Sequence, residues 1–146
     1  MWMSFVVAVA DTSVLIDHAH GRGVRELDVA LADDLLIVPP LVITELVSGA
    51  TQAKETAAIA ELVRNLRIHH TDLRHWIAVG DLRRDLASHG LNLTIPDAHV
   101  AQCAIDLDAT LITRDKVFDL VSHYIPLRLA CFPHSPASSS EKMDLI

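Results

Sequence analysis

Positive charge, aromatics, cysteines and long apolar runs are all scarce in this 146-residue chain. Twelve Lys and Arg stand against 19 Asp and Glu, a formal net charge of −7. That balance excludes a protein that holds nucleic acid by a general basic surface, because neutralising phosphates takes clustered cations. Aromatics make up only 4% of the residues, little material for stacking single-stranded bases. The two cysteines, Cys103 and Cys131, have no Cys-x-x-Cys spacing and lie in apolar stretches. They read as reduced core residues of a cytosolic protein, with no disulfide frame and no zinc site. The opening apolar run, Phe5 to Ala10, has no basic leader and falls far short of the roughly 20 residues of a membrane span. It reads as a first strand, and the protein as cytoplasmic with no membrane partner.

The nine histidines offer no His-Glu-x-x-His, and His69-His70 are adjacent rather than one helical turn apart. Surface or packing roles are expected for all of them. Trp76 is expected to anchor its helix in the core.

What the chain does have is apolar residues, 51% of the total, enough for one domain with its own core. Their spacing predicts alternating strands and helices. Helices are expected over Ser13 to His20, Val24 to Ala32, Pro40 to Gly49 and Gln52 to Asn65. Strands are expected over Leu35 to Val38 and Leu66 to His69. A long amphipathic helix from Asp72 to Ser88 would bury Leu73, Trp76, Ile77, Leu82 and Leu86, closed by His89-Gly90. A helix over Pro96 to Leu107, a strand over Thr110 to Thr113, a short helix over Lys116 to Ser122 and a strand over Leu127 to Phe132 follow. Such alternation predicts an α/β fold, a three-layer parallel sheet flanked by helices. Residues 1–133 form this domain, and the Ser-rich stretch 134–146 is expected to be a disordered tail.

Four carboxylates stand where this pattern gathers side chains at one edge of the sheet. Asp11 and Asp115 each follow a strand, so they should face the crevice beyond the strands' carboxyl ends. Asp97 begins a helix, where a carboxylate meets the positive end of the dipole. Glu45 sits in an otherwise apolar helical turn, beside the small residues Ser48 and Gly49. Read singly, the three aspartates could each be a helix cap or first-turn acid, and Glu45 an exposed-face residue. Together they make an oxygen-lined site that selects Mg²⁺ or Mn²⁺ over zinc, the chemistry of phosphodiester cleavage. Two such cations would bring the charge from −7 to −3 and make the most negative patch a phosphate-binding one. The remaining acidity suits a partner that carries basic residues. Around the acids, Ser13 and Thr113 offer hydroxyls to orient a carboxylate or water. Arg114 and Lys116 are candidates for a substrate phosphate, and Asp119 lies one helical turn after Asp115.

The segments Phe5-Val6-Val7-Ala8-Val9-Ala10-Asp11-Thr12-Ser13, Thr44-Glu45-Leu46-Val47-Ser48-Gly49, Ile95-Pro96-Asp97-Ala98-His99-Val100-Ala101 and Thr113-Arg114-Asp115-Lys116-Val117-Phe118 together resemble the PIN domain, in particular the VapC-type toxin of a toxin–antitoxin pair. The resemblance spans nearly the whole chain. It implies a PIN-like fold with Asp11, Glu45, Asp97 and Asp115 as the acidic quartet and Thr113 as the hydroxyl before the last acid. It further implies a Mg²⁺-dependent endoribonuclease that cleaves structured RNA such as tRNA or rRNA, forms a homodimer and is held inactive by a cognate antitoxin. The Ser-rich tail has no place in the family pattern. Two alternatives use the same acids or fold differently: a phosphoacceptor domain of the response-regulator type, and a non-catalytic binding module. The first would want two adjacent acids after its first strand, where this chain has Asp11-Thr12-Ser13.

Overall fold

The computed structural model describes residues 6–131. Five parallel strands form the sheet: β1 (Ala8–Ala10), β2 (Leu36–Val38), β3 (Arg67–Ile68), β4 (Thr110–Thr113) and β5 (Arg128–Cys131), in the spatial order β3-β2-β1-β4-β5. Seven helices join them among the described residues: α1 (Thr12–Ala19), α2 (Arg25–Ala32), α3 (Pro40–Gly49), α4 (Ala53–Arg64), α5 (Leu73–Ser88), α6 (Ile95–Asp106) and α7 (Val117–Val121). This is the expected α/β fold. Phe5, Phe132 and the Ser-rich tail, with the expectations placed on them, lie outside the described residues.

The strands read as apolar runs because a parallel sheet covered by helices buries both faces. Val9, Ala10, Leu111 and Ile112 at its centre are almost wholly excluded from water. β1 and β2 are short because each runs directly into a helix. Asp11 caps α1 directly after β1, and Pro39 and Pro40 lead from β2 into α3 with proline in the first helical position. Gly90, at φ +80°, closes α5 in the left-handed conformation that side-chain-bearing residues disfavour.

The order of strands matters for function. From β1 the chain adds β2 and β3 on one side, then crosses to add β4 and β5 on the other. The direction reverses between β1 and β4, and their carboxyl ends flank the crevice where open α/β sheets bind ligands.

Two expectations need correction. On α5 the buried residues are His75, Val79, Leu82 and Leu86, whereas Leu73 is 76% and Ile77 56% exposed. The buried stripe runs i, i+4, i+7, i+11 from a histidine, so counting only apolar residues set its phase wrongly. Trp76 is therefore no core anchor: it is 37% exposed and lies flat on His99. The start of α6 also moves. Thr94 is the N-cap, its hydroxyl accepting from the Asp97 amide at 3.2 Å, so Asp97 lies in the first turn.

Candidate metal centre and acidic crevice

Asp11 is the most enclosed of the four acids, 7% exposed at the end of β1. Its carboxylate accepts hydrogen bonds from the Ser13 hydroxyl at 2.6 Å, from the Val14 amide and from the Thr113 hydroxyl. Burial raises its pKa above the usual aspartate value, the two hydroxyls and the amide oppose that rise, and the charge of Asp115 adds to it. A carboxylate placed there at a desolvation cost and braced by three donors is positioned rather than incidental.

Thr113, fully buried at the end of β4, links two of the acids. Its hydroxyl donates to Asp11 and accepts from the Asp115 amide at 3.0 Å. Asp115, exposed in the turn that follows, accepts from the Val117 amide at 3.0 Å, which shapes the entry to α7. The Ser13 hydroxyl, having donated to Asp11, accepts from the Arg114 amide at 3.2 Å. The turns after β1 and β4 are thus stitched together by Ser13 and Thr113.

Asp97 projects from the first turn of α6, which packs against β1 and β4. Its pKa is raised, first by burial and then by the charges of Asp115 and Glu45, with the Thr94 hydroxyl opposing. Glu45 lies on the exposed side of α3 and accepts from the Thr12 hydroxyl at 2.9 Å. Asp115 thus raises both Asp11 and Asp97, and Glu45 acts on Asp97. All four carboxylates share one electrostatic neighbourhood.

The other predicted residues fall nearby in different states. Arg114 pairs with Asp17 of α1, both side chains about 15% exposed, and Asp17 also faces Arg22 at 3.8 Å. Lys116 is exposed at the N-cap of α7, and Asp119 is exposed in its first turn. Asp17 was missed by the sequence reading as a crevice residue. Its position two turns into α1, facing Arg114, depends on α1 meeting β4, which no local spacing reveals.

The donor set of the crevice is all oxygen, and repelling carboxylates with raised pKa values fit a hard dication, whose charge relieves both effects. The sequence reading also missed a second polar cluster, away from the crevice. His75 of α5 and His99 and Cys103 of α6 are all buried. They are the one group of three such side chains among the described residues whose donor atoms lie within 4.8 Å of one another. The signal was present as His99-x-x-x-Cys103, one helical turn apart. Burial, with His75 and His69 nearby, pushes His99 down to about 4. Burial, then the charge of Asp106, pushes the Cys103 thiol up to about 12. Cys103 is free and buried, as expected of a reduced core residue, and the side chain of Cys131 is outside the described set.

A family model, the PIN domain, matches residues 8–124. The chain belongs to the PIN domain family. This is a family of nucleases that use divalent metal ions, and membership removes the support for a response-regulator reading. No curated protein matches the chain in sequence. Among solved structures, PIN proteins of toxin–antitoxin complexes share its fold. A chain of VapBC2 from Rickettsia felis, solved bound to a promoter DNA fragment, aligns at TM-score 0.73 and 19% identity over 86% of this chain and 98% of that one. A chain of the toxin–antitoxin complex from Klebsiella pneumoniae aligns at 0.64 and 22% over 87% and 99%. A chain of FitAcB from Neisseria gonorrhoeae aligns at 0.65 and 19% over 84% and 96%. No described helix of this PIN domain is long and apolar enough to cross a membrane.

Proposed function

We propose that this PIN domain is the toxin of a VapC-type toxin–antitoxin pair, a Mg²⁺- or Mn²⁺-dependent endoribonuclease acting on structured RNA such as tRNA or rRNA. The observation that carries the proposal is Asp11: a buried carboxylate with a raised pKa, braced by Ser13 and Thr113 and sharing the β1/β4 crevice with Asp97, Asp115 and Glu45. Asp11, Asp97 and Asp115 would hold the metal, with Glu45 completing the acidic set. When bound, a dication lowers the pKa of a water and neutralises charge developing on the cleaved phosphate.

The chain's own residues supply position and charge. Ser13 and Thr113 fix the orientation of the Asp11 carboxylate, one on each oxygen. The Thr12 hydroxyl holds Glu45 where it can accept a proton from, or orient, the attacking water. Lys116 is exposed at the crevice rim and is assigned to a substrate phosphate. Arg114 is assigned there too, with Asp17 holding its guanidinium in place. Asp119, one helical turn after Asp115, is assigned to support that acid rather than to touch the substrate.

Two protein partners are assigned: a cognate antitoxin and a second copy of the chain. The likeness to VapBC and FitAB chains solved with their partners supports the first. Leu73 and Ile77 on α5, with Ile95, supply exposed apolar surface for such contacts.

The test is cleavage of total cellular RNA by the purified protein with Mg²⁺, Mn²⁺ or chelator, beside Asp97→Ala, with the cut ends mapped. Discrete metal-dependent cuts that vanish in the variant are expected. No cleavage with any dication by a folded protein would overturn the proposal and favour the non-catalytic binding module.

A further inference from the structure

The contact between α5 and α6 holds a polar chain that starts at the surface and ends among buried side chains, where apolar ones would cost less. Asp106 Oδ2 lies 2.7 Å from His75 Nδ1, and His75 Nε2 lies 2.7 Å from His99 Nδ1. A carboxylate only accepts, so His75 carries its proton on Nδ1, and its Nε2 accepts from the Nδ1–H of His99. Cys103 Sγ stands 3.9 Å from both His75 Nε2 and His99 Nδ1. Trp76 lies flat on the outer face of His99, ring centroids 4.6 Å apart and planes within 6°. These three donors come from two helices and close a triangle, with a carboxylate behind the first.

We propose that His75, His99 and Cys103 form a binding site for Zn²⁺, separate from the acidic crevice. Two imidazoles and a thiolate suit zinc and not Mg²⁺, which the oxygen crevice takes. Bonds of about 2.0–2.1 Å to nitrogen and about 2.3 Å to sulfur set tetrahedral donors roughly 3.3–3.6 Å apart. The present spacings of 2.7 and 3.9 Å bracket that range. Side-chain rotation of about half an ångström reaches it.

On binding, the His99 proton moves from Nδ1 to Nε2, which frees the Nδ1 lone pair. The Cys103 thiol loses its proton to solvent as the sulfur–zinc bond forms. No oxidant or reductant is needed. Asp106 holds His75 in the tautomer that presents Nε2 to the ion, the carboxylate–histidine–metal arrangement that raises ligand basicity. A cavity of about 400 Å³ lined by His69, His70, Asp72, Arg74, His75 and Asp106 leads to the His75 side. It brings solvent up to the His75 side of the cluster. An ion there would tie α5 to α6, the helix whose first turn carries Asp97. The proposal stands on these side chains and not on the nuclease reading.

Co²⁺ titration of the full-length, metal-free, reduced protein in excess Mg²⁺ tests it. The magnesium keeps the acidic crevice filled. A sulfur-to-cobalt charge-transfer band should appear, saturate at one ion per chain and be displaced by Zn²⁺. Cys103→Ala and His75→Gln should abolish it, Cys131→Ser should keep it, and Asp106→Asn should weaken binding by about 10–100-fold. Circular dichroism certifies each fold. Asp106, at the rim of the cluster, keeps the test decisive where a core variant unfolds. Absence of the band in folded wild type overturns the site, as does a band that survives Cys103→Ala or is indifferent to His75→Gln. RNA cleavage that persists or fails has no bearing on these outcomes.

Discussion

Replacing Thr113 by Val removes one oxygen while keeping the shape of the side chain. In the wild type that oxygen donates to the buried Asp11 carboxylate and accepts from the Asp115 amide, and the residue is fully excluded from water. A hydrogen bond to an ionised group is worth about 1.5–3 kcal/mol, and the orphaned amide adds a smaller cost, so Thr113→Val should destabilise the metal-free protein by about 2–3 kcal/mol at neutral pH. For a domain of this size that is a fall of roughly 10 °C in melting temperature. The loss should depend on pH in a defined direction. The Thr113 hydroxyl lowers the Asp11 pKa, which burial holds above the usual aspartate value. Its removal raises that pKa further. The penalty is therefore fully present above the variant's folded-state pKa and shrinks as pH falls through it, because a protonated Asp11 no longer needs the donor. Urea unfolding in chelator across this range measures both quantities, with Thr113→Ser, which keeps the hydroxyl, as control. A loss under about 0.5 kcal/mol at neutral pH, or one independent of pH, would refute Thr113 as the brace of Asp11.

Asp97→Asn should raise the melting temperature in chelator at neutral pH, since it removes a carboxylate raised by burial and by Asp115 and Glu45, and it should abolish RNA cleavage. A sharp fall in melting temperature would make Asp97 structural instead. Metal-free wild type should lose stability as pH rises through the raised pKa values of Asp11 and Asp97, because the folded state holds those protons longer than the unfolded chain, and saturating Mg²⁺ should reverse the slope. A pH profile unaffected by Mg²⁺ would count against the crevice as a metal site. Arg114→Ala should lower stability by about 1–3 kcal/mol by leaving the largely enclosed Asp17 without this partner, and should also reduce the salt dependence of RNA binding. An unchanged salt slope removes Arg114 from the substrate contacts and leaves it a support for Asp17.

Elements whose signals are local were legible in the sequence. β4 spans the expected Thr110 to Thr113, and Pro40 opens α3 as proline at the first helical position suggests. The grouping of the acids followed from strand–helix alternation, because the carboxyl ends of parallel strands share one edge. What was not legible depended on partners distant in sequence. His75 counts as polar in any periodicity, yet it is buried because Asp106 and His99 of α6 satisfy both its nitrogens. That pairing displaced the expected stripe of Leu73, Trp76 and Ile77 to the outside. Likewise Asp97 looks like a helix cap until Thr94 is found to hold its amide, and Arg114 looks solvated until Asp17 arrives from α1.

The position of β4 between β1 and β5 sets an order of events during synthesis. The contact between Thr113 and Asp11 spans 102 residues, and Asp11 and Glu45 leave the ribosome well before Asp97 and Asp115 exist. A nascent chain can pair β1 with β2 and β3, but the far side of β1 stays bare until the last third arrives. Until then half of the acids and the Thr113 donor to Asp11 are missing, so the crevice stays incomplete. The crevice therefore forms only once β4 and the turn after it have been made and can seat against β1.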